Sequence, residues 1–150
     1  WHTNYKASQG GMTEWSYRLT SARQIGKDQA HRLGWTARRP LYGHRISFQD
    51  FRQVQAPYLD AAGGRLAEVG PVNVVLSTIK GTASDGFVVR LQEVAGTASV
   101  GVVRFPGRPV RSATLVDLLE QDVAQLSVEP DGSVRVPVVG WGLASVRVTV

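Results

Sequence analysis

Metal ligation or proton transfer at neutral pH falls first to histidine, and this chain has three, His2, His31 and His44. No two of them stand at i,i+4, and none lies in a compact group with carboxylates, so no metal-ligand motif is visible. His31, beside Arg32, is expected to be an exposed polar residue. The chain has no cysteine, which removes disulfides, thiolate nucleophiles and thiolate zinc sites. It has no G-x-S-x-G elbow, and "AAGGRLAEVG" lacks the lysine of a phosphate loop. The acids Asp85, Asp117, Glu120, Asp122, Glu129 and Asp131 flank turns or strand ends. Turn formation places acids there, whereas glycoside hydrolysis needs two that face each other across a cleft. No catalytic constellation can be read from these residues.

The aromatics are the remaining chemical lead. Trp1, Tyr5, Trp15, Tyr17 and Trp35 crowd the first quarter, with Trp141 alone near the end. Flat rings beside amides could stack on sugars. Core or interdomain packing is the more ordinary use of such large apolar surfaces. The net charge of +5 is spread over the chain, with one cluster from Arg23 to Arg45 containing Lys27, Arg32, Arg38 and Arg39. It contains no run of basics longer than the Arg38-Arg39 pair and no RNA-binding aromatic motif, so a solvated arginine-rich face is expected and no nucleic-acid partner. No apolar run approaches the roughly 20 residues of a membrane span, so no membrane partner is expected.

The elements that must carry these residues change character along the chain. "TEWSYRLTS" alternates Trp15, Tyr17 and Leu19 against Ser16, Arg18 and Thr20, so residues 1–20 read as a loose hairpin around Gly10-Gly11. In "KDQAHRLGWTARRPL", Ala30, Leu33, Gly34 and Ala37 make the stripe of one short helix near residues 28–39, which Pro40 stops. Asp28 suits its start, and Arg38 and Arg39 its end. Residues 41–70 read as a connection with at most one irregular strand, around His44–Phe48. From Pro71 onward, seven runs rich in Val, Leu and Thr follow: "VNVVLSTIK", "GFVVRLQEV", "ASVGVVRF", "ATLVDLL", "AQLSVE", "SVRVPVV" and "ASVRVTV". Their spacing is that of an all-β, antiparallel β-sandwich. Asp131-Gly132 is a hairpin signal. Alternation points Phe87, Val89 and Leu91 inward and Arg90 and Gln92 outward. It likewise points Val134, Val136, Val138, Val146, Val148 and Val150 inward, which makes the closing segment a paired strand. The whole chain, 1–150, reads as a single domain, with residues 1–46 as lead-in strands and helix and 71–150 as the main run.

The order of these features resembles a known family. "WHTNYKASQGG", "WSYRLTS", a helix ending in "RRPL", "VNVVLSTIK", "DGFVVRLQEVAG", "ATLVDLLE" and a Val-rich close are together similar to the C-terminal part of glycoside hydrolase family 38, the α-mannosidases, nearest to their bacterial branch. The family patterns N-V-x-L-S-x-x-K, G-x-x-V-R-L-x-E/N-x-x-G and x-x-D-L-L-E fall at Asn73–Lys80, Gly86–Gly96 and Val116–Glu120.

The resemblance implies a retaining α-mannosidase whose zinc, held by His and Asp, and whose Asp nucleophile belong to an upstream catalytic domain. This chain would be the non-catalytic C-terminal piece of that enzyme. Its expected partners are the catalytic domain of the same polypeptide and a mannose-containing glycan, with no cofactor and no metal of its own. A strand of the type aromatic-x-T-N/D lies near the family's sugar cleft. It maps onto Trp1, His2, Thr3 and Asn4, with His2 where a tyrosine is common, and Arg90 matches the V-R-L arginine. Trp1, His2, Asn4 and Arg90 are therefore the candidate substrate contacts. With no leader visible, a cytoplasmic location is the favoured expectation. An independent carbohydrate-binding or adhesion module, or a plain structural domain, are the competing readings.

Overall fold

The computed structural model describes residues 10–39, 64–83 and 85–150. They form one helix, α1 (Lys27–Arg38), and eight strands: β1 (Glu68–Gly70), β2 (Val74–Gly81), β3 (Gly86–Glu93), β4 (Ser99–Arg104), β5 (Ser112–Val116), β6 (Asp122–Leu126), β7 (Val134–Val138) and β8 (Leu143–Thr149). The strands build two antiparallel sheets, one ordered β1-β4-β7 and the other β2-β3-β8-β5-β6. The chain is therefore an all-β sandwich with one short helix, and each of the seven Val-rich runs holds one of the strands β2 to β8.

Alternation decides which side chains the sheets share. Val134, Val136 and Val138 are buried while Arg135 and Pro137 are exposed. On the opposing sheet, Val89, Leu91, Val146 and Val148 are fully enclosed. β8 is the central strand of its sheet, with Val146 opposite Val89 on one side and Leu115 on the other. Phe87 of β3 and Phe105, the residue after β4, stack at 5.2 Å in the core. Gly101 is glycine because a Cβ there would stand 2.7 Å from Leu91 Cδ1. Its missing side chain is the space Leu91 fills. Burying each Val or Leu of this layer contributes about 1.5–3 kcal/mol, so the interior holds the sheets together without a polar group at its centre. Two register shifts, at Leu76/Thr78 and Leu115/Val116, bend the larger sheet.

Three expectations need correction. Residues 10–26 contain no strand, and Trp15, Tyr17 and Leu19 are 73%, 81% and 98% exposed. Alternation sets only the phase of side chains, whereas a strand also needs an edge to pair with. The segment expected to be connecting holds β1, a three-residue strand paired with β4, which is too short to display a period. α1 forms where expected, with the Gly26 N–H donating to Gln29 Oε1 at 3.2 Å, but its half-buried residues are Asp28, His31, Trp35 and Ala37. The expected stripe of Ala30, Leu33, Gly34 and Ala37 borders Arg18, Leu19 and Ile25 of the lead-in segment. Small residues have little apolar area to bury, so the aromatic pair decides which face turns to the sandwich. The irregular strand expected around His44–Phe48 lies outside the described residues.

Candidate functional site

β3 carries the inward phase Phe87, Val89, Leu91 one step further, to Glu93. That step puts a carboxylate at the end of the sandwich with no exposure to solvent. A buried charge survives only when it is saturated with donors. Here Oε1 accepts from Asn73 Nδ2 (2.9 Å) and the Ala95 N–H (2.8 Å). Oε2 accepts from the N–H groups of Gly96 (2.7 Å), Thr97 (3.2 Å) and Trp141 (2.9 Å). Burial pushes this carboxyl up. The N–H of Trp141, the Asn73 amide and the N–H groups of Ala95 and Gly96 outweigh it, and hold the carboxyl down at about 2 from an ordinary 4.5. One side chain thereby ties together the start of β2, the β3–β4 loop and the β7–β8 turn.

The object held by this clamp is Trp141. It sits in the turn closed by the Gly142 N–H donating to Val139 O at 2.9 Å. Its φ is +58°, a left-handed conformation that non-glycine residues adopt at a cost. Gly96, with φ +87°, packs under the indole, where a Cβ would come within 2.5 Å of Nε1. The residue as a whole is nevertheless 58% exposed. Lys27, at the start of α1, places its ammonium 5.1 Å from the ring centroid.

From Lys27 the helix runs along the edge of the sandwich. Arg32 Nη2 donates to Val72 O at 2.7 Å and anchors it. Between them, a cleft of about 460 Å³ is bordered by His31, Trp35 and Thr36 on the helix and by Val69, Val74 and Leu76 on the sandwich. His31 stacks on Trp35 at 5.5 Å, and the Arg39 guanidinium lies 4.4 Å from the same indole. His31 Nε2 is buried without a hydrogen-bond partner. The expectation of an exposed polar histidine is thus overturned, because stacking on Trp35 draws the imidazole under the helix.

Of the candidate contacts named from the sequence, Arg90 alone falls among the described residues, and it is away from this end. Arg90 lies mid-strand on the outer face of the larger sheet, where Nε donates to Ser145 Oγ at 3.0 Å and Nη2 reaches Leu118 O at 3.4 Å. These bonds brace β8 and the loop after β5. Trp1, His2 and Asn4 lie outside the described residues. Ser77 and Lys80 have S-x-x-K spacing, but the Lys80 ammonium is paired with Glu120 Oε1 at 2.7 Å. Among the described residues no three His, Asp or Glu side chains are grouped to hold a metal ion.

Sequence reasoning passed over Glu93 and the setting of Trp141. The signal for Glu93 was an acid in the inward phase of a strand otherwise apolar at Phe87, Val89 and Leu91. For Trp141 it was a tryptophan between two glycines in a tight turn.

An antiparallel two-sheet sandwich with a carboxylate clamp at one end defines a β-sandwich module. The sequence profile of the glycosyl hydrolases family 38 C-terminal beta sandwich domain matches residues 73–149, all the strands from β2 to β8. The chain belongs to that family. No curated protein matches it.

Proposed function

We propose that this chain is the non-catalytic C-terminal domain of an α-mannosidase-like glycoside hydrolase, and that it packs against the catalytic domain of the same polypeptide. The observation that carries this reading is the free edge of the larger sheet. Among the described residues β6 pairs only with β5, and its first four residues are exposed. Beside it, Leu118, Val123, Val139 and Leu143 border one shallow depression, with exposures of 62%, 61%, 67% and 47%. Open strand edges and grouped apolar side chains are covered in natural proteins, because both promote association. Membership of a glycosyl hydrolase C-terminal domain family supports a catalytic domain of the same polypeptide as that cover, the part that would carry the zinc and the nucleophile. The sandwich then serves as a rigid wall that completes the enzyme.

The test is turnover of an aryl α-mannoside by the polypeptide that joins the catalytic domain to this one. Val123→Asp together with Leu118→Asp places two charges in the contact. It is expected to lower turnover and the melting temperature of the joined protein, while leaving the strand content unchanged. Unaltered activity and stability in the double variant would reject β6 as the packing edge. Absence of α-mannoside hydrolysis by the wild-type joined protein would reject the activity.

A further inference from the structure

We propose that the β5–β6 loop, Asp117-Leu118-Leu119-Glu120-Gln121, is a preformed knob whose Leu119 seats in an apolar pocket of the catalytic domain. The proposal rests on the reading of this chain as a packing domain and deepens it by naming the element that makes the contact. The loop is built to hold one shape. The Asp117 N–H donates to Gln121 O at 2.9 Å, and the Glu120 N–H donates to Asp117 O at 3.1 Å. Asp117 Oδ1 accepts from the N–H groups of Leu119 (2.8 Å) and Gln121 (2.9 Å). Three cations on the outer face of the larger sheet then fasten it. Arg90 donates to Leu118 O at 3.4 Å, Arg147 donates to Glu120 O, and Lys80 donates to the Glu120 carboxylate at 2.7 and 2.9 Å. Glu120 is thereby kept at φ +65°, a left-handed conformation that persists where the surroundings over-determine it.

So fastened, the loop leaves Leu118 and Leu119 62% and 79% exposed. The sandwich gains little from either side chain, and a loop already ordered loses little further freedom on docking. Leu118 also borders the depression beside β6, so the knob is continuous with the edge assigned above to the catalytic domain. Charge around it is balanced, with Lys80, Arg90 and Arg147 against Asp117, Glu120 and Asp122. No excess charge is left to attract an anionic membrane surface or a nucleic acid. What remains to be recognised is aliphatic, and it fits the apolar centre of a protein interface.

The experiment is thiol labelling, in which this cysteine-free chain reacts only where a cysteine is introduced. Leu119→Cys, Val123→Cys and Val100→Cys are each made in the joined polypeptide and in this chain alone, with circular dichroism to check the fold. Alkylation by iodoacetamide is followed at each position by mass spectrometry. Val100, on the smaller sheet and 42% exposed, is the control. Position 119 is expected to react about tenfold more slowly in the joined polypeptide than in this chain alone, while position 100 reacts equally in both. Asp117→Ala removes the acceptor of the Leu119 and Gln121 N–H groups, and should restore about threefold of the lost rate, because the loosened loop must be ordered on docking. Equal rates at position 119 in the two proteins, with protection at 123, would overturn the knob and leave the packing edge standing. Equal rates at both positions would remove edge and knob together. Protection at position 100 to the same degree would mean a cover not centred on the loop, and unchanged protection in Asp117→Ala would mean that the loop need not be preformed; either overturns the proposal. Slow labelling at 119 in this chain alone that quickens on dilution would assign the loop to a contact between copies, and equally overturn it.

Discussion

The interior of the sandwich and its Glu93 end are built on opposite principles. Between the sheets, Val, Leu and Phe fill the space and almost any apolar residue of the right volume would serve. At the end of β3, five directional hydrogen bonds converge on one carboxylate, and no substitute has the same shape and charge. The interior decides that the sheets pack. The end decides where two loops and an exposed tryptophan are held. Stability in the first region is spread over many residues, whereas in the second it is concentrated in one.

Substitutions separate the two regions, and the largest effect is expected at the clamp. Glu93→Ala strips the shared acceptor from five donors and empties a fully enclosed position, and should lower the melting temperature by roughly 15 °C or prevent folding. Glu93→Gln keeps the volume but turns part of the acceptor into a donor that faces N–H groups. It should fold with a clearly lowered midpoint in thermal denaturation. In the interior, Leu91→Ala empties space that Gly101 cannot refill. It should cost about 2–5 kcal/mol in urea unfolding with an unchanged slope. A Glu93→Ala protein as stable as wild type would break the comparison.

Acid titration sharpens the contrast further. The Glu93 carboxyl is held down from 4.5 to about 2 in the fold. A depressed carboxyl gives its full stabilisation above the unfolded value and loses it as pH falls through the folded one. Stability of the wild type should therefore decline as pH drops from 4.5 toward 2, with a shallower decline in Glu93→Gln. Asp131 contributes in the same direction. The hydroxyl and N–H of Ser133 hold its carboxyl down, and the Arg104 guanidinium adds to them. Leu91→Ala should shift the whole acid profile without changing its shape.

The smallest effect belongs to the outer face. Lys80 and Glu120 form an exposed pair, and Lys80→Ala should change stability by no more than about 0.5 kcal/mol. A loss several times larger would mean that the outer face carries structural weight assigned here to the interior.

Legibility in the sequence followed the same division. The core was readable because period-two patterning is a direct consequence of the pleat: the inward phase of Val134, Val136 and Val138 is a property of the chain alone. β8 could be recognised as paired from "VRVTV", although its central position depends on β3 and β5, which are remote in sequence. The lead-in strand failed for the converse reason, since Trp15 and Tyr17 alternate but find no partner edge among the described residues. The Glu93 end was not readable as a site. Its donors come from residues 73, 95–97 and 141, and only the closed fold brings these together. Arg90 was singled out through its family motif, and its bonds to Ser145 and Leu118 depend on neighbours the motif does not contain.

Amide hydrogen exchange, read residue by residue in wild type and Glu93→Gln, tests most directly whether the end is a separately clamped unit. In wild type, the Gly96 and Trp141 amides should be strongly protected near neutral pH, because both donate to Glu93. In Glu93→Gln these amides should exchange about a hundredfold faster by local opening. The amides of Val89 and Val146, in the β3–β8 ladder, should keep their protection apart from the general loss of stability. If Gly96 and Trp141 retain wild-type protection in Glu93→Gln, the clamp does not hold the loops. If every amide accelerates by the same factor, the end and the interior are one cooperative unit and the distinction drawn between them is wrong.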